Sequence, residues 1–298
     1  MTVQFVPSRF GGSIAVRDLS ADDLRASEPN LLFLHPVTFH GNTWKPIVSR
    51  LSHRGRRFAI DQPGHGLSRL VGERPLDWYA IADDVLGVVD ALAAQGIENP
   101  VGGGHSMGGA MLTIAEVLRP GTFRGLWLYE PVVPPTRTIP AELQAAKNTR
   151  NPARPRRTVF PSVDTAYESY QAKLPRFDAE SLRAYVDDAF DVAADGSATL
   201  RCDPAIGTRI ADVWPEHRIF DRVDEVKCPV HLVRGNLAGY QARWAAALVH
   251  HFPDATLERQ DQLTHLGPLE EPATMARSIN AALPRLMRGR LDDAGHRL

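Results

Sequence analysis

The 298-residue sequence lacks the features that mark several large classes of protein. It has only two cysteines, Cys202 and Cys228, so it can build neither a disulfide framework nor a cysteine-type zinc site. No stretch approaches the roughly 18 consecutive apolar residues that a transmembrane helix needs, which predicts a protein outside the membrane. Lysine and arginine number 34 against 35 aspartates and glutamates, so the basic excess typical of nucleic-acid-binding proteins is absent.

Residues 1–10 show no charged head followed by an apolar core, so the sequence predicts no secretory signal and a cytoplasmic location. Both cysteines are then expected to be reduced thiols. Apolar residues make up 43% of the chain and charged residues 23%, the balance of a globular protein with a sizeable core. Composition and charge leave open whether the chain forms a homo-oligomer.

Short apolar runs alternate with helical patterns over residues 1–133, which predicts strand–helix units and a mostly parallel sheet. Prolines then recur through 134–224, where short helical patterns such as 163–174 and 179–190 carry several aromatic residues. The strand–helix rhythm resumes over 225–287, and 288–298 form a polar tail. The pattern indicates one α/β domain in two parts, interrupted by a helical insertion at 134–224.

A Gly-x-Ser-x-Gly pattern lies at 104–108, between a predicted strand and a predicted helix. Such a turn is sharp, so small residues must flank the serine, and the hydroxyl of Ser106 is pushed out above the carboxyl end of the sheet. The amide of Met107 and the helix dipole would face negative charge that develops there. A plain glycine-rich turn is the simplest alternative, but the position between strand and helix favours a nucleophile.

Three further motifs follow the same order along the chain as in a known family. His35-Pro36 ends a predicted strand, residues 61–68 read Asp-Gln-Pro-Gly-His-Gly-Leu-Ser, and residues 262–270 contain His265 before the last predicted helix. With the turn at Ser106, these motifs make the chain resemble the α/β-hydrolase family, in particular its capped esterase- and lipase-like members. The resemblance implies an α/β-hydrolase fold, with a mostly parallel eight-stranded sheet flanked by helices and a helical cap between strands six and seven.

A serine hydroxyl needs a general base and an acid that orients that base. The resemblance implies that His265 is the base. The family's usual acid follows the seventh strand, but here that strand runs into Gly-Asn-Leu-Ala-Gly-Tyr at 235–240, without a carboxylate. In the family's second arrangement the acid follows the sixth strand, which points to Glu130. Asp261 is the fallback acid.

The resemblance also implies an oxyanion hole made by the backbone amides of Val37 and Met107, although Pro36 stands where the family often has glycine. Proline lacks an N–H group but leaves that of Val37 free. On the core side, Trp44 and Tyr129 are the expected walls of the substrate pocket.

These residues predict a serine hydrolase, without cofactor or metal, that cleaves a carboxylic ester or lactone of a largely apolar small molecule through an acyl-enzyme. Amide hydrolysis and carbon–carbon bond hydrolysis on the same triad stay open. A third alternative is a non-catalytic ligand-binding member of the family, motivated by the missing acid after the seventh strand.

Overall fold

The structure is a computed structural model that describes residues 2–25, 27–137, 157–213 and 216–288. The start of the predicted insertion, at 138–156, and most of the predicted polar tail lie outside the described residues.

The strands of the described chain fall into two sheets. They are β1 (Thr2–Pro7), β2 (Ser13–Asp18), β3 (Leu31–Leu34), β4 (Arg57–Asp61), β5 (Val101–His105), β6 (Gly125–Tyr129), β7 (Val159–Phe160), β8 (Phe190–Val192), β9 (Ala198–Leu200), β10 (Val230–Arg234) and β11 (Ala255–Arg259). Eight of them form one sheet in the order β1-β2-β4-β3-β5-β6-β10-β11. Within this eight-stranded sheet only the β1–β2 and β2–β4 pairs are antiparallel, so the prediction of a mostly parallel sheet is confirmed.

Helices cover both faces of this sheet. The α-helices are α1 (Lys45–Val48), α2 (Trp78–Ala93), α3 (Met107–Leu118), α4 (Val163–Lys173), α5 (Ala179–Val186), α6 (Pro204–Asp212), α7 (Tyr240–Leu248), α8 (Gly267–Glu270) and α9 (Pro272–Leu286), and 3₁₀ turns cover Gly41–Trp44 and Ile219–Glu225. Residues of α2, α3 and α7 pack on one face, and those of α1 and α9 on the other. Burial from both sides explains why the central strand β3 reads Leu-Leu-Phe-Leu, with all four residues buried.

Several of the helices begin where a side chain caps their first turn. The carboxylate of Asp77 accepts hydrogen bonds from two backbone amides in the first turn of α2. Ser162 and Asp178 cap α4 and α5 in the same way. Pro272 occupies the first turn of α9, where its missing N–H group costs no hydrogen bond.

The segment between β6 and β10, which we call the cap, contains α4, α5 and α6 together with the small sheet β7-β9-β8. The helical patterns of the cap are thus accompanied by a small sheet that the sequence did not predict. Phe190, predicted to end a helix, begins β8 instead, and its ring packs edge-on against that of Phe160 at 5.5 Å. Strands of two or three residues are too short to show the alternation that identifies a strand in sequence.

Buried polar contacts attach the cap to the carboxyl edge of the main sheet. The guanidinium of Arg17, on β2, is fully buried and forms a bidentate ion pair with Asp61 at the end of β4. The same guanidinium contacts Asp188 of the cap. Nearby, the ring of His40 donates a hydrogen bond to the carbonyl of Tyr185 at 2.9 Å. These contacts fix the end of α5 above the sheet.

The first turn of α3 lies unusually close to two strands. A β-carbon built at Gly108 would lie 2.2 Å from the carbonyl oxygen of Leu34, and one built at Gly104 would lie 2.6 Å from the Cα of Gly109. Real Cβ atoms do not approach backbone this closely, so both positions require glycine. This packing brings the start of α3 against the turn that follows β3.

We expect Gly108→Ala to destabilise the protein by about 3 kcal/mol, because the added methyl group collides with rigid backbone. Gly87→Ala is the matched control, since Gly87 is also helical but its Cβ position has no neighbour closer than 3.9 Å. There the gain in helix propensity should stabilise the protein by up to about 1 kcal/mol. Urea unfolding of the two variants measures both effects, and equal stability would contradict the packing argument.

Candidate active site

Ser106 stands at the sharp turn between β5 and α3. Its backbone has φ 55° and ψ −118°, a left-handed conformation that costs a non-glycine residue about 1–3 kcal/mol. Two of its backbone hydrogen bonds tie it to the end of β6: its N–H donates to the carbonyl of Tyr129 at 3.0 Å, and the N–H of Val132 donates to its carbonyl at 3.1 Å. The turn therefore fixes the serine beside the end of β6.

His265 lies in the loop between β11 and α8, and its ring contacts the other two predicted triad residues. Nε2 lies 3.0 Å from Oγ of Ser106, and Nδ1 lies 2.7 Å from Oε2 of Glu130. Because a carboxylate can only accept, Nδ1 carries the proton and Nε2 of the neutral ring is free to accept from the serine hydroxyl. The ring side chain is 24% exposed, so it borders open space on one side.

Glu130 follows β6 directly and is 1% exposed. Its backbone has φ 42°, and its N–H donates to the carbonyl of Val233 on β10 at 3.0 Å. Its second carboxylate oxygen accepts the N–H of Gly235 at 2.7 Å. The loop in which the family's usual acid would stand thus donates a backbone amide to the carboxylate of the neighbouring strand.

Asp261, the fallback acid, has other partners. Its carboxylate pairs with Arg234 at 2.6 Å and with Arg259 at 3.0 Å, and the side chain is 54% exposed. The side-chain amide of Asn236 donates to the Asp261 carbonyl at 3.2 Å. Asp261 therefore forms ion pairs with two arginines, and Glu130 is the carboxylate that contacts His265 among the described residues.

Tyr129 holds the histidine loop instead of lining a pocket. The side chain is fully buried, and its hydroxyl donates to the carbonyl of Thr264 at 2.6 Å. On the next residue, the carbonyl of His265 accepts a hydrogen bond from Nε2 of His105 at 2.7 Å. The prediction that Tyr129 is a pocket wall is therefore wrong, because no water-sized space reaches it.

Trp44 is likewise a core residue. It is 2% exposed, and its ring packs 4.9 Å from that of Phe33 and 6.3 Å from that of Trp127, beneath the sheet. The prediction that it lines the substrate pocket is therefore wrong, because nearly all of its surface is covered by core residues. An aromatic residue shortly after a strand end resembles a pocket wall in sequence, but the turn at Gly41–Trp44 directs this one inward.

Two buried histidines brace the turn that follows β3. The ring of His35 donates from Nδ1 to the carbonyl of Pro36 at 2.7 Å. The ring of His65 accepts the N–H of Thr38 at 3.0 Å, which holds Thr38 at φ 70°. The conformation of the residues on either side of Val37 is thus fixed by side chains from two motifs of the sequence.

The amides of Val37 and Met107 are available to a ligand. Within the part of the chain that the structure describes, neither N–H group meets an acceptor. Met107 opens α3, so its amide also lies at the positive end of a helix dipole. The tight packing of α3 against the end of β3 brings the start of α3 close to the turn that contains Val37.

Two residues at this site had no predicted role. The buried carboxylate of Glu270 accepts hydrogen bonds from Thr264, and from Arg176 in the cap at 2.9 Å. Glu270 lies within the recognised histidine motif, so its position was visible but its partners were not. Arg176 follows a proline between two short helices, and no local pattern marks it.

The fold and the site define a class. A mostly parallel sheet with a serine turn after its fifth strand, and a histidine loop after its last, is the architecture of α/β hydrolases. The model of the alpha/beta hydrolase family matches residues 31–278, and the chain belongs to that family. No helix among the described residues is long and apolar enough to cross a bilayer.

Named relatives are hydrolases. The chain is 28% identical over 222 residues to a 2-(acetamidomethylene)succinate hydrolase of Mesorhizobium japonicum, covering 71% of this chain and 72% of that protein. It is 26% identical over 272 residues to an esterase of Mycobacterium tuberculosis, covering 89% and 84%. A crystal structure of E-2-(acetamidomethylene)succinate hydrolase superposes with a TM-score of 0.72 at 21% identity, over 94% of this chain and 98% of that one.

We expect the protein to lose stability as the pH falls from about 6.5 to 4. Burial lowers the pKa of His65 and that of His217 from the ordinary 6.5 to about 4 in the folded protein. The unfolded chain therefore binds more protons in this window, so protonation favours unfolding. Each histidine contributes a slope of up to about 1.4 kcal/mol per pH unit.

Urea unfolding at a series of pH values measures that slope. His65→Gln keeps an acceptor for the amide of Thr38 but cannot be protonated, so it should flatten the slope by about one proton. A slope equal to that of the wild type would show that His65 does not carry the effect.

Proposed function

We propose that this protein is a serine hydrolase that cleaves a carboxylic ester or lactone of a largely apolar small molecule. The observation that carries the proposal is the continuous line of hydrogen bonds from Ser106 through His265 to Glu130, with distances of 3.0 and 2.7 Å. Each distance is within the range in which a proton can be transferred or held. The reaction needs neither a metal nor a cofactor.

In the first half of the reaction the Ser106 hydroxyl attacks the acyl carbonyl while Nε2 of His265 takes its proton. Glu130 keeps the proton on Nδ1 and stabilises the imidazolium that forms. The amides of Val37 and Met107 hold the negative oxygen of the tetrahedral intermediate. Collapse of the intermediate breaks the bond to the leaving oxygen, which takes the proton from His265.

In the second half, water attacks the acyl-enzyme. His265 removes the proton of the water, the oxyanion forms again in the same place, and Ser106 leaves as the neutral hydroxyl. The carboxylic acid product departs, and the enzyme returns to its starting protonation state.

The residues around the serine favour an apolar substrate. Val37, in the turn after β3, and Val132, in the turn after β6, are partly buried apolar side chains, and the N–H of Val132 donates to the carbonyl of Ser106. Ile206 of α6 is a third such side chain, and it lies beside Gly64. The α6 helix lies over the first of these turns, because a β-carbon at Gly207 would lie 2.9 Å from the methyl group of Thr38. Similarity to the mycobacterial esterase supports the choice of an ester bond.

The same residues could act on other bonds. Similarity to a 2-(acetamidomethylene)succinate hydrolase favours, as a second candidate, a substrate that carries an acylated nitrogen. Carbon–carbon bond hydrolysis would use the same triad. A non-catalytic ligand-binding role is less well supported, since Glu130 pairs with His265 at 2.7 Å.

We expect Ser106→Ala to abolish covalent labelling by a fluorophosphonate and the turnover of p-nitrophenyl esters. Glu130→Gln should reduce kcat about 10⁴-fold, because a neutral amide cannot hold the correct histidine tautomer or stabilise imidazolium. Asp261→Asn is the matched control, and it should stay within about two-fold of the wild type because Asp261 binds two arginines away from the ring.

Near wild-type activity of Glu130→Gln, or a large loss in Asp261→Asn, would overturn the assignment of the acid. A panel of esters, lactones, N-acyl compounds and dienoates distinguishes the two candidate functions by kcat/KM. Labelling of Ser106 without turnover of any of these classes would favour the ligand-binding alternative.

A further inference from the structure

An arginine of the cap reaches the loop that carries His265. Arg176 lies between α4 and α5, and its Nε and Nη2 contact the two carboxylate oxygens of Glu270 at 2.9 and 3.1 Å. Nη2 also donates to the carbonyl of Gln262 at 2.9 Å. One guanidinium therefore contacts both ends of the loop, one before and one after His265.

Glu270 passes this contact to the residue beside His265. One oxygen of its carboxylate accepts the hydroxyl of Thr264 at 2.6 Å, and the other accepts the Thr264 N–H at 3.0 Å. Glu270 itself is 8% exposed, so its geometry is set by these partners and not by water. Thr264 precedes His265 in the chain, and moving its backbone moves the imidazole.

Electrostatics strengthen the link from the carboxylate to the arginine. Burial raises the pKa of Glu270, but hydrogen bonds from Arg176 and Thr264 outweigh it, and the net pKa lies below the ordinary value. A buried ionised carboxylate needs a counter-charge, and Arg176 is the cation that contacts it in the described chain. Without Arg176, Thr264 is the hydrogen-bond partner that remains for this carboxylate among the described residues.

The cap makes a second contact beside this pair. The backbone N–H of Asp178, at the start of α5, donates to the carbonyl of Leu269 at 2.9 Å. Glu180 in the same helix pairs with Arg50 at 2.6 Å on the core. The start of α5 therefore lies directly against the residues that follow His265, so the cap and the histidine loop are in contact.

We propose that Arg176 and Glu270 are positioning residues that couple the seating of the cap to the alignment of His265 with Ser106. The proposal rests on the proposed function, in which His265 is the general base. Neither side chain touches Ser106 or the ring of His265 in the described contacts, so both act through Thr264. A displacement of the general base by about 1 Å can lower the rate by up to about 100-fold. A small shift of the histidine loop on loss of this pair would therefore change kcat measurably.

We expect Arg176→Met to lower kcat for a p-nitrophenyl ester about ten-fold with KM changed by less than about two-fold, because the base is misaligned while the pocket is intact. Arg183→Met is the matched control. Arg183 lies on α5, is similarly exposed, and pairs with Asp164 and Asp187 within the cap. It should leave kcat and KM within about two-fold of the wild type.

A double-mutant cycle tests whether the two residues act as one unit. Glu270→Gln alone should lower kcat about ten-fold, and the double variant with Arg176→Met should be no slower than Glu270→Gln. Losses that multiply in the double variant would overturn the proposal, as would equal kcat in Arg176→Met and Arg183→Met. Circular dichroism and thermal melting of all variants identify any that fail to fold, and Arg176→Lys, which keeps the charge, should recover part of kcat.

A second readout does not require turnover. The Nδ1–H proton of His265, assigned by its loss in His265→Ala, should give a downfield resonance in the wild type that shifts or broadens in Arg176→Met but not in Arg183→Met. An unchanged resonance in Arg176→Met would overturn the coupling. Absence of Ser106 labelling in the wild type would instead count against the proposed function, so the two failures are distinguishable.

Discussion

The contact between the first turn of α3 and the ends of β3 and β5 is the constraint on which the site depends. This close contact is possible because Gly104 and Gly108 have no side chains, and a β-carbon at either position would collide with backbone atoms. The close approach forces the chain through Ser106 in a left-handed conformation and leaves the hydroxyl at the carboxyl edge of the sheet. It also brings the free amide of Met107 to the turn after β3. The proposed nucleophile and the proposed oxyanion donors thus depend on a single packing contact.

The proposed acid, Glu130, illustrates how neighbouring strands of a sheet can supply a carboxylate to the same imidazole. In the register of β6 and β10, Tyr129 lies opposite Val233, so the residue after β6 faces the residues that end β10. A carboxylate at Glu130 can therefore reach the same imidazole as an acid placed on the next loop. The loop that follows β10 has no carboxylate of its own, but the N–H of Gly235 in that loop donates to the carboxylate of Glu130 and stabilises its charge. The proposed mechanism requires a buried, hydrogen-bonded negative charge beside Nδ1 of His265, and it matters less which strand supplies that charge.

The same reasoning explains what could be predicted from the sequence. Strand ends and motifs locate Ser106, Glu130 and His265 because parallel strands bring their carboxyl ends to one edge, whatever the intervening length. The inward direction of Trp44 and Tyr129 depends on turn geometry and neighbouring volumes, which no periodicity records. The pair of Arg176 and Glu270 joins residues 94 positions apart, one of them in an irregular loop. The short strands of the cap were not predicted, because they form by pairing with one another and have no local sequence pattern that marks them.

Backbone strain is concentrated where the chemistry is proposed. In the described chain, five non-glycine residues have positive φ, and three of them, Thr38, Ser106 and Glu130, follow β3, β5 and β6. Each is held by a hydrogen bond of its own backbone N–H: to the ring of His65, to the carbonyl of Tyr129 and to the carbonyl of Val233. Strained conformations persist only where surrounding contacts over-determine them. The core side of the site is therefore preorganised, whereas the base comes from a loop that the cap helps to hold. In the proposed mechanism, the nucleophile and the oxyanion donors are therefore fixed by the core alone, whereas the alignment of the base depends also on the contact of Arg176 with the histidine loop.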